Sequence, residues 1–144
     1  MHQRILVVCV GNICRSPLAE QLLQAACPEK QVSSAGLAAV VGSDVHSVTR
    51  EVAVAHGMSL KAHQARQLTR DMCREADVIL VMEAGHREAV FKLCPEVRGK
   101  TFLLAQGQDP ADILDPFRRA PEFFTLVHQQ IEQACMRWVT LLQR

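Results

Sequence analysis

The run Arg4-Ile5-Leu6-Val7-Val8-Cys9-Val10 passes directly into Gly11-Asn12-Ile13-Cys14-Arg15-Ser16-Pro17. From Ile5 to Val10 every residue is apolar. A half-buried strand would alternate, so this strand is expected to be covered on both faces, as in a parallel sheet. Pro17 suits the first turn of a helix, where its missing N–H costs nothing. Leu18, Leu22, Leu23 and Ala26 then recur at helical spacing, and Pro28 marks the stop. A buried strand that turns through a short loop into a helix is the opening unit of an α/β fold.

The rest of the chain continues that alternation. Gln31–Ala35 is a second strand candidate, ended by Gly36. Val45, Val48, Val52 and Ala55 form a helical stripe with Gly57 as a plausible end. A further helix is expected over Leu68–Ala76, a buried strand over Asp77–Met82, a helix over Glu83–Leu93 and a strand over Lys100–Leu104. Ala105–Ala120 holds two Asp-Pro dipeptides and no period, and reads as a loop. Phe124, Val127, Ile131, Ala134, Trp138 and Leu141 form the longest helical stripe, and Trp138 reads as core. One α/β domain over 1–144 is expected, a parallel sheet with helices on both faces. Ligands in such folds bind beyond the C-terminal ends of the strands. The loops after the first and fourth strands therefore carry the functional reading.

Composition narrows the partners. Hydrophobic residues make up 49% and charged residues 22% of 144, a globular balance with no sign of disorder. The formal net charge of +1 argues against nucleic acid as a partner. No apolar run approaches the ~20 residues of a membrane span, so no membrane insertion is expected. Ile5–Val10 is too short, and wrongly flanked, for a signal peptide. The six cysteines, Cys9, Cys14, Cys27, Cys73, Cys94 and Cys135, form no Cys-x-x-Cys pair and have no zinc-like histidine spacing beside them. Free thiols in a reducing cytoplasm are expected, with no metal and no other cofactor.

Cys9 is singled out by its place. It ends the buried strand, and Arg15 follows six positions on at the start of a helix. Cys-x5-Arg-Ser therefore wraps backbone N–H groups around a helix N-terminus, which binds anions by dipole and by orphan donors. Gly11 permits a positive φ or a close approach of the anion. Arg15 adds a fork for two phosphate oxygens. The same groups favour the thiolate of Cys9, and the Ser16 hydroxyl can donate to it. A thiolate at the base of an anion cradle is equipped to attack phosphorus and form a phosphocysteine. Cys14 either packs under the loop or pairs with Cys9 under oxidation.

The segment VCVGNICRSP resembles the active-site loop of low-molecular-weight protein tyrosine phosphatases. The resemblance extends over Ser33–Gly36, His63–Leu68, Ala76–Met82 and Asp115–Phe117. Within the family it is similar to the bacterial branch encoded with capsule or exopolysaccharide tyrosine kinases. It implies a four-stranded parallel sheet in the family's Rossmann-like fold. It implies a phosphate-binding loop of Val10, Gly11, Asn12, Ile13, Cys14, Arg15 and Ser16, supported by Asn12, Ser16 and Ser34. It further implies a phosphotyrosine protein substrate, a bacterial tyrosine autokinase.

Expulsion of a phenolate whose conjugate acid has a pKa of about 10 calls for a general acid. Asp109, Asp112 and Asp115 lie in the second loop, and both Asp109 and Asp115 precede proline. The dipeptide cannot choose between them. Phe117, an aromatic that could line a cleft, favours Asp115, and the family pattern of Asp-Pro-aromatic-basic matches Asp115-Pro116-Phe117-Arg118. Asp109 and Asp112 read as solvated turn residues. The chain contains no tyrosine, so phenylalanine stands where many relatives carry one. The opposite cleft wall is expected from Leu37–Ser43, with Leu37, Val40 and Val41 as candidates. His63 and Arg66 are expected to tie their segment to the sheet. Arg118 and Arg119 would attract an acidic substrate or simply face solvent.

The expected activity is thus a metal-independent protein tyrosine phosphatase using Cys9, Arg15 and Asp115. Arsenate reductase on the same fold is the alternative. It needs a resolving cysteine at the end of the third strand, and that strand ends in Val81-Met82-Glu83. A phosphocysteine carrier domain would not need Arg15 and Asp115 together, and a phosphopeptide-binding module would not need Cys9.

Overall fold

The structure is a computed structural model that describes residues 3–143, so the ends of the expected 1–144 domain, Met1, His2 and Arg144, lie outside the described residues. The elements run β1 Arg4–Cys9, α1 Arg15–Ala26, β2 Gln31–Gly36, α2 Ser47–Ala55, α3 Arg70–Glu75, β3 Val78–Val81, α4 Ala84–Leu93, a 3-10 turn at Pro95–Lys100, β4 Thr101–Leu103 and α5 Pro121–Leu142. The four strands form one parallel sheet in the order β2-β1-β3-β4. The α/β class and the four-stranded parallel sheet are as expected from the sequence. The 3-10 turn was not anticipated. It carries the chain from α4 into β4, where Thr101 Oγ1 donates to Val97 O at 2.8 Å.

The unbroken apolar run of β1 has the cause inferred for it. Ile5, Val7 and Cys9 join Leu18, Leu23, Val127, Ile131 and Trp138 in the larger core, packed under α1 and α5. Leu6 and Val8 point the other way, into a smaller core with Cys73, Val90 and Val97. β3 repeats the division, with Val78 and Leu80 on one side and Ile79 and Val81 on the other. Trp138 is core, and its indole N–H also donates to Leu104 O at 2.8 Å.

Helix α2 departs from the expected stripe. Val45 precedes the helix, Val48 and Val52 are only partly buried and Ala55 is exposed. The buried face is Thr49 and Ala53. Thr49 faces the Cys14 thiol, and Ala53 packs into the larger core. The helix read from Leu68 starts later, at Arg70, because Thr69 caps it by accepting from Met72 N–H at 3.2 Å.

His128 of α5 is buried against His56, with ring centroids 4.3 Å apart. Neither of its ring nitrogens has a hydrogen-bond partner, and the Glu132 carboxylate stands 3.9 Å away. Burial, and then the charge of His56, hold the His128 pKa below its ordinary value. The unfolded chain therefore takes up this proton at a higher pH than the fold does. Above about pH 6.5 the titration of the ring costs the fold nothing, and stability falls as pH drops from there through the lowered native value. Thermal unfolding from about pH 7.5 to pH 5 should show a falling midpoint, with a smaller slope in His128→Leu. The slope should not vanish, because burial lowers His86 in the same direction. An equal slope in the variant would refute the assignment to His128.

Candidate active site

Segment 9–14 links β1 to α1 and is shaped by what its carbonyls touch. Cys9 O accepts from Leu37 N–H, Val10 O from Ala38 N–H, Gly11 O from Val40 N–H and Ile13 O from His46 N–H, all at 2.8–3.0 Å. Asn12 O accepts from His63 Nε2 at 2.7 Å, which places that ring's proton on Nε2. Each peptide is planar and trans, so five carbonyls held outward turn the following N–H groups inward. The inward Asn12 N–H donates to Cys9 Sγ at 3.3 Å. No side chain caps the N-terminus of α1 and its first turn holds no acid, so its dipole also faces the loop's concavity.

The left-handed residue is Asn12, with φ 58°, and not Gly11, whose φ is not positive. Asparagine tolerates this region better than most residues. It adds an amide that glycine lacks. The fully buried side chain donates through Nδ2 to Ser16 Oγ at 2.7 Å and to Ser34 Oγ at 2.9 Å, and accepts through Oδ1 from Arg66 N–H at 3.0 Å. Ser34 Oγ in turn donates to Glu20 Oε1 at 2.5 Å. Ser16 Oγ lies 2.8 Å from Cys9 Sγ. Because Ser16 Oγ already accepts from Asn12, its own hydrogen is available to the sulfur. The structure thus brings Asn12, Ser16 and Ser34 into one network, and His63 and Arg66 tie their segment to it. Arg66 Nε also donates to Ser34 O at 2.8 Å.

Arg15 is 1% exposed, a charge removed from water. Its Nη1 donates to Glu83 Oε2 at 2.6 Å and to Ile113 O at 2.7 Å, and its Nη2 lies 3.9 Å from Asp115 Oδ2. Glu83 and Ile113 were missed in the sequence. An acid directly after a buried strand, on the edge where ligands bind, was the available signal for Glu83. Ile113 acts through its backbone and left none. His86 Nε2 stands 3.4 Å from Glu83, and burial followed by the Arg15 charge keeps its pKa below the usual value.

The second loop is pinned beside this pair. Ile113 N–H donates to Met82 O at 2.9 Å, and Asp112 Oδ1 accepts from Ala84 N–H at 3.0 Å at the start of α4. Asp112 is therefore a helix cap and not the solvated turn residue expected. Asp115, two residues on, enters the cleft, and its Oδ1 accepts from Phe117 N–H at 3.1 Å. Cys9, Arg15, Asp115, Val40 and Phe117 line one cleft of about 200 Å³. Leu37, expected on the wall, packs instead into the smaller core, and Ala38 lines the cleft in its place. Val41 is 71% exposed and does not line it. Cys14 is a free thiol buried between the cleft and Thr49, and desolvation pushes its pKa up to about 12. Among the described residues no group of three His, Cys, Asp or Glu side chains is placed to hold a metal ion.

Residues 4–144 match the model of the low molecular weight phosphotyrosine protein phosphatase family, and the chain belongs to that family. It is similar to the crystal structure of the tyrosine phosphatase AmsI from Erwinia amylovora, at 47% identity over 100% of this chain and 95% of that one, with a TM-score of 0.96. It is also similar to Vibrio vulnificus Wzb in complex with benzylphosphonate, at 44% identity over 97% and 99%, TM-score 0.92. A third likeness is the YwlE arginine phosphatase of Geobacillus stearothermophilus, at 35% identity over 97% and 92%, TM-score 0.89. The chain is thus a cysteine-dependent protein tyrosine phosphatase by family.

Gly36, read from the sequence only as a strand end, has a further role. A Cβ there would sit 2.4 Å from Val10 O, one of the outward carbonyls. Gly36→Ala should cost about 1–3 kcal/mol through this overlap and weaken phosphate binding. Urea midpoints and calorimetric titration with inorganic phosphate check both effects.

Proposed function

We propose that Cys9 attacks the phosphorus of a phosphotyrosine while Arg15 clamps two phosphoryl oxygens and Asp115 protonates the leaving tyrosine oxygen. The reading is carried by one observation: thiol, buried guanidinium and carboxylate meet in the same cleft, with an N–H and a hydroxyl already aimed at the sulfur. In the first step the Cys9 Sγ–P bond forms and the P–O bond to tyrosine breaks. The phenolic oxygen takes its proton from Asp115. In the second step the Asp115 carboxylate takes a proton from water as that oxygen attacks phosphorus. The Sγ–P bond breaks, the thiolate returns and inorganic phosphate leaves. The inward N–H groups of segment 10–14 stabilise the charge on the transferring group in both steps.

The apolar surface of Ile13, Val40 and Phe117 suits a phenyl ring. Asp115 is the one carboxylate among the described residues lining the cleft, and it is committed to proton transfer. Phosphotyrosine is therefore favoured over phosphoarginine. By its resemblance to the capsule-associated branch, the physiological substrate is a bacterial tyrosine autokinase, met in the cytoplasm. Among the described residues no helix is long and apolar enough to cross a membrane. Arsenate reduction is disfavoured: Cys73 and Cys94 are buried in the smaller core, whereas Cys9 belongs to the larger one.

Turnover of para-nitrophenyl phosphate, with chelator and thiol reductant present, tests the mechanism. Cys9→Ser should abolish turnover and keep phosphate binding, and Asp115→Asn should lower kcat by about a hundredfold or more. Full activity in Cys9→Ser would refute the reading. Parallel assays with phosphotyrosyl and phosphoarginyl peptides decide the substrate.

A further inference from the structure

We infer that His46 is a positioning residue for the general acid, its ring holding Phe117, and through Phe117 the Asp115 carboxylate, over the Cys9 thiol. The inference rests on the assignment of Asp115 as acid and extends it to a residue outside the cleft.

His46 stands at the junction of three elements. Its N–H donates to Ile13 O at 2.8 Å, which ties its backbone to the anion loop. Its Nδ1 accepts from Val48 N–H at 3.2 Å, so it caps α2. That bond fixes the tautomer, with the proton on Nε2, and stops rotation of the ring. The fixed ring stacks on Phe124 in the first turn of α5, with centroids 5.1 Å apart and planes at 29°. It meets Phe117 edge to face at 5.8 Å and 87°. Both are favourable aromatic geometries.

Phe117 needs such a buttress. It is 44% exposed, in a segment without helix or strand, and among the described residues its other ring contact is the Arg118 guanidinium at 5.4 Å. Arg118 itself has φ 65°, a left-handed conformation that a non-glycine residue holds only against some cost. The Phe117 N–H is the hydrogen-bond donor to Asp115 Oδ1, while Asp115 Oδ2 faces Arg15 Nη2. Movement of the Phe117 ring therefore moves the donor that orients the acid. The path from His46 to Asp115 is two contacts long, and His46 is also bonded to the loop that holds the nucleophile. A cap alone could be supplied by serine, asparagine or aspartate. A ring alone could be supplied by phenylalanine. Histidine supplies both.

Two variants separate the roles. His46→Asn keeps an acceptor for Val48 N–H and loses the ring, and His46→Phe keeps a ring and loses the acceptor. Each is assayed for kcat on phenyl phosphate, whose phenolate needs a proton to leave, and on para-nitrophenyl phosphate, whose leaving group is already stabilised by the nitro group. Thermal midpoints report folding. His46→Asn should lower kcat on phenyl phosphate by about tenfold through misplacement of the acid, and less on the nitrophenyl ester. His46→Phe should return the ratio of the two rates toward that of the parent chain, even if it melts lower. A parental ratio in His46→Asn, or an equal change of ratio in both variants, overturns the inference. Asp115→Asn is run beside them: if it leaves the ratio unchanged, the acid assignment fails first.

Discussion

Five successive carbonyls drawn outward from segment 9–13 are the constraint on which the site depends. Once Leu37, Ala38, Val40, His46 and His63 have taken them, the peptide planes have no freedom left. The N–H groups face inward whether or not a ligand is there. Asn12 closes the arrangement. Its left-handed backbone costs about 1–2 kcal/mol, and its buried amide answers with bonds to Ser16, Ser34 and Arg66. At about 1 kcal/mol for each bond, these offset the strain. Glycine would take the same φ and leave the two serines unheld. The loop is built to be rigid before it meets charge, which is what electrostatic catalysis demands.

Arg15 obeys a different rule. A buried guanidinium is tolerable only when paired and fully bonded. Glu83 and Ile113 satisfy Nη1 from one side, which leaves the Nη2 side toward Asp115 and the cleft. The positive charge is balanced at rest but not used up. Because Ile113 lies two residues before Asp115, the contact that holds the arginine also fixes where that segment enters the cleft. Arg15 and the segment that carries Asp115 are one construction, joined through a main-chain oxygen.

The legible parts of the sequence were those that follow from repetition. The unbroken apolar stretches of β1 and β3 reported burial on both faces, and the 3.6-residue stripe of α5 reported its core face as far as Trp138, beyond which Leu142 is buried and Leu141 is exposed. Cys9, Arg15 and Asp115, which the structure brings to one cleft, stood out because few residue types do the chemistry proposed for them and their neighbours constrain the backbone. What was not legible acts through the main chain or across long separations. Gly36 matters for what it lacks, Ile113 through its carbonyl, and Glu83 by lying beside a residue 68 positions earlier. Leu37 was misplaced because adjacent residues of an irregular loop do not alternate predictably, and Asp112 because its partner is the start of a helix distant in sequence. The valine stripe of α2 misled for another reason: the face turned inward carries Thr49, beside Cys14, and Ala53, and a search for large apolar residues passes over both.

The bond between Arg15 and Ile113 also has a temporal side. Ile113 follows Arg15 by 98 residues, and until it has been added Nη1 has Glu83 but lacks its second acceptor. At about 5–20 residues per second, that is a delay on the order of 5–20 seconds. During that interval the growing chain carries Cys9 and Arg15 without the carbonyl that anchors the guanidinium and without Asp115. The proposed site is complete only when the segment that brings Asp115 also completes the bonding of Arg15.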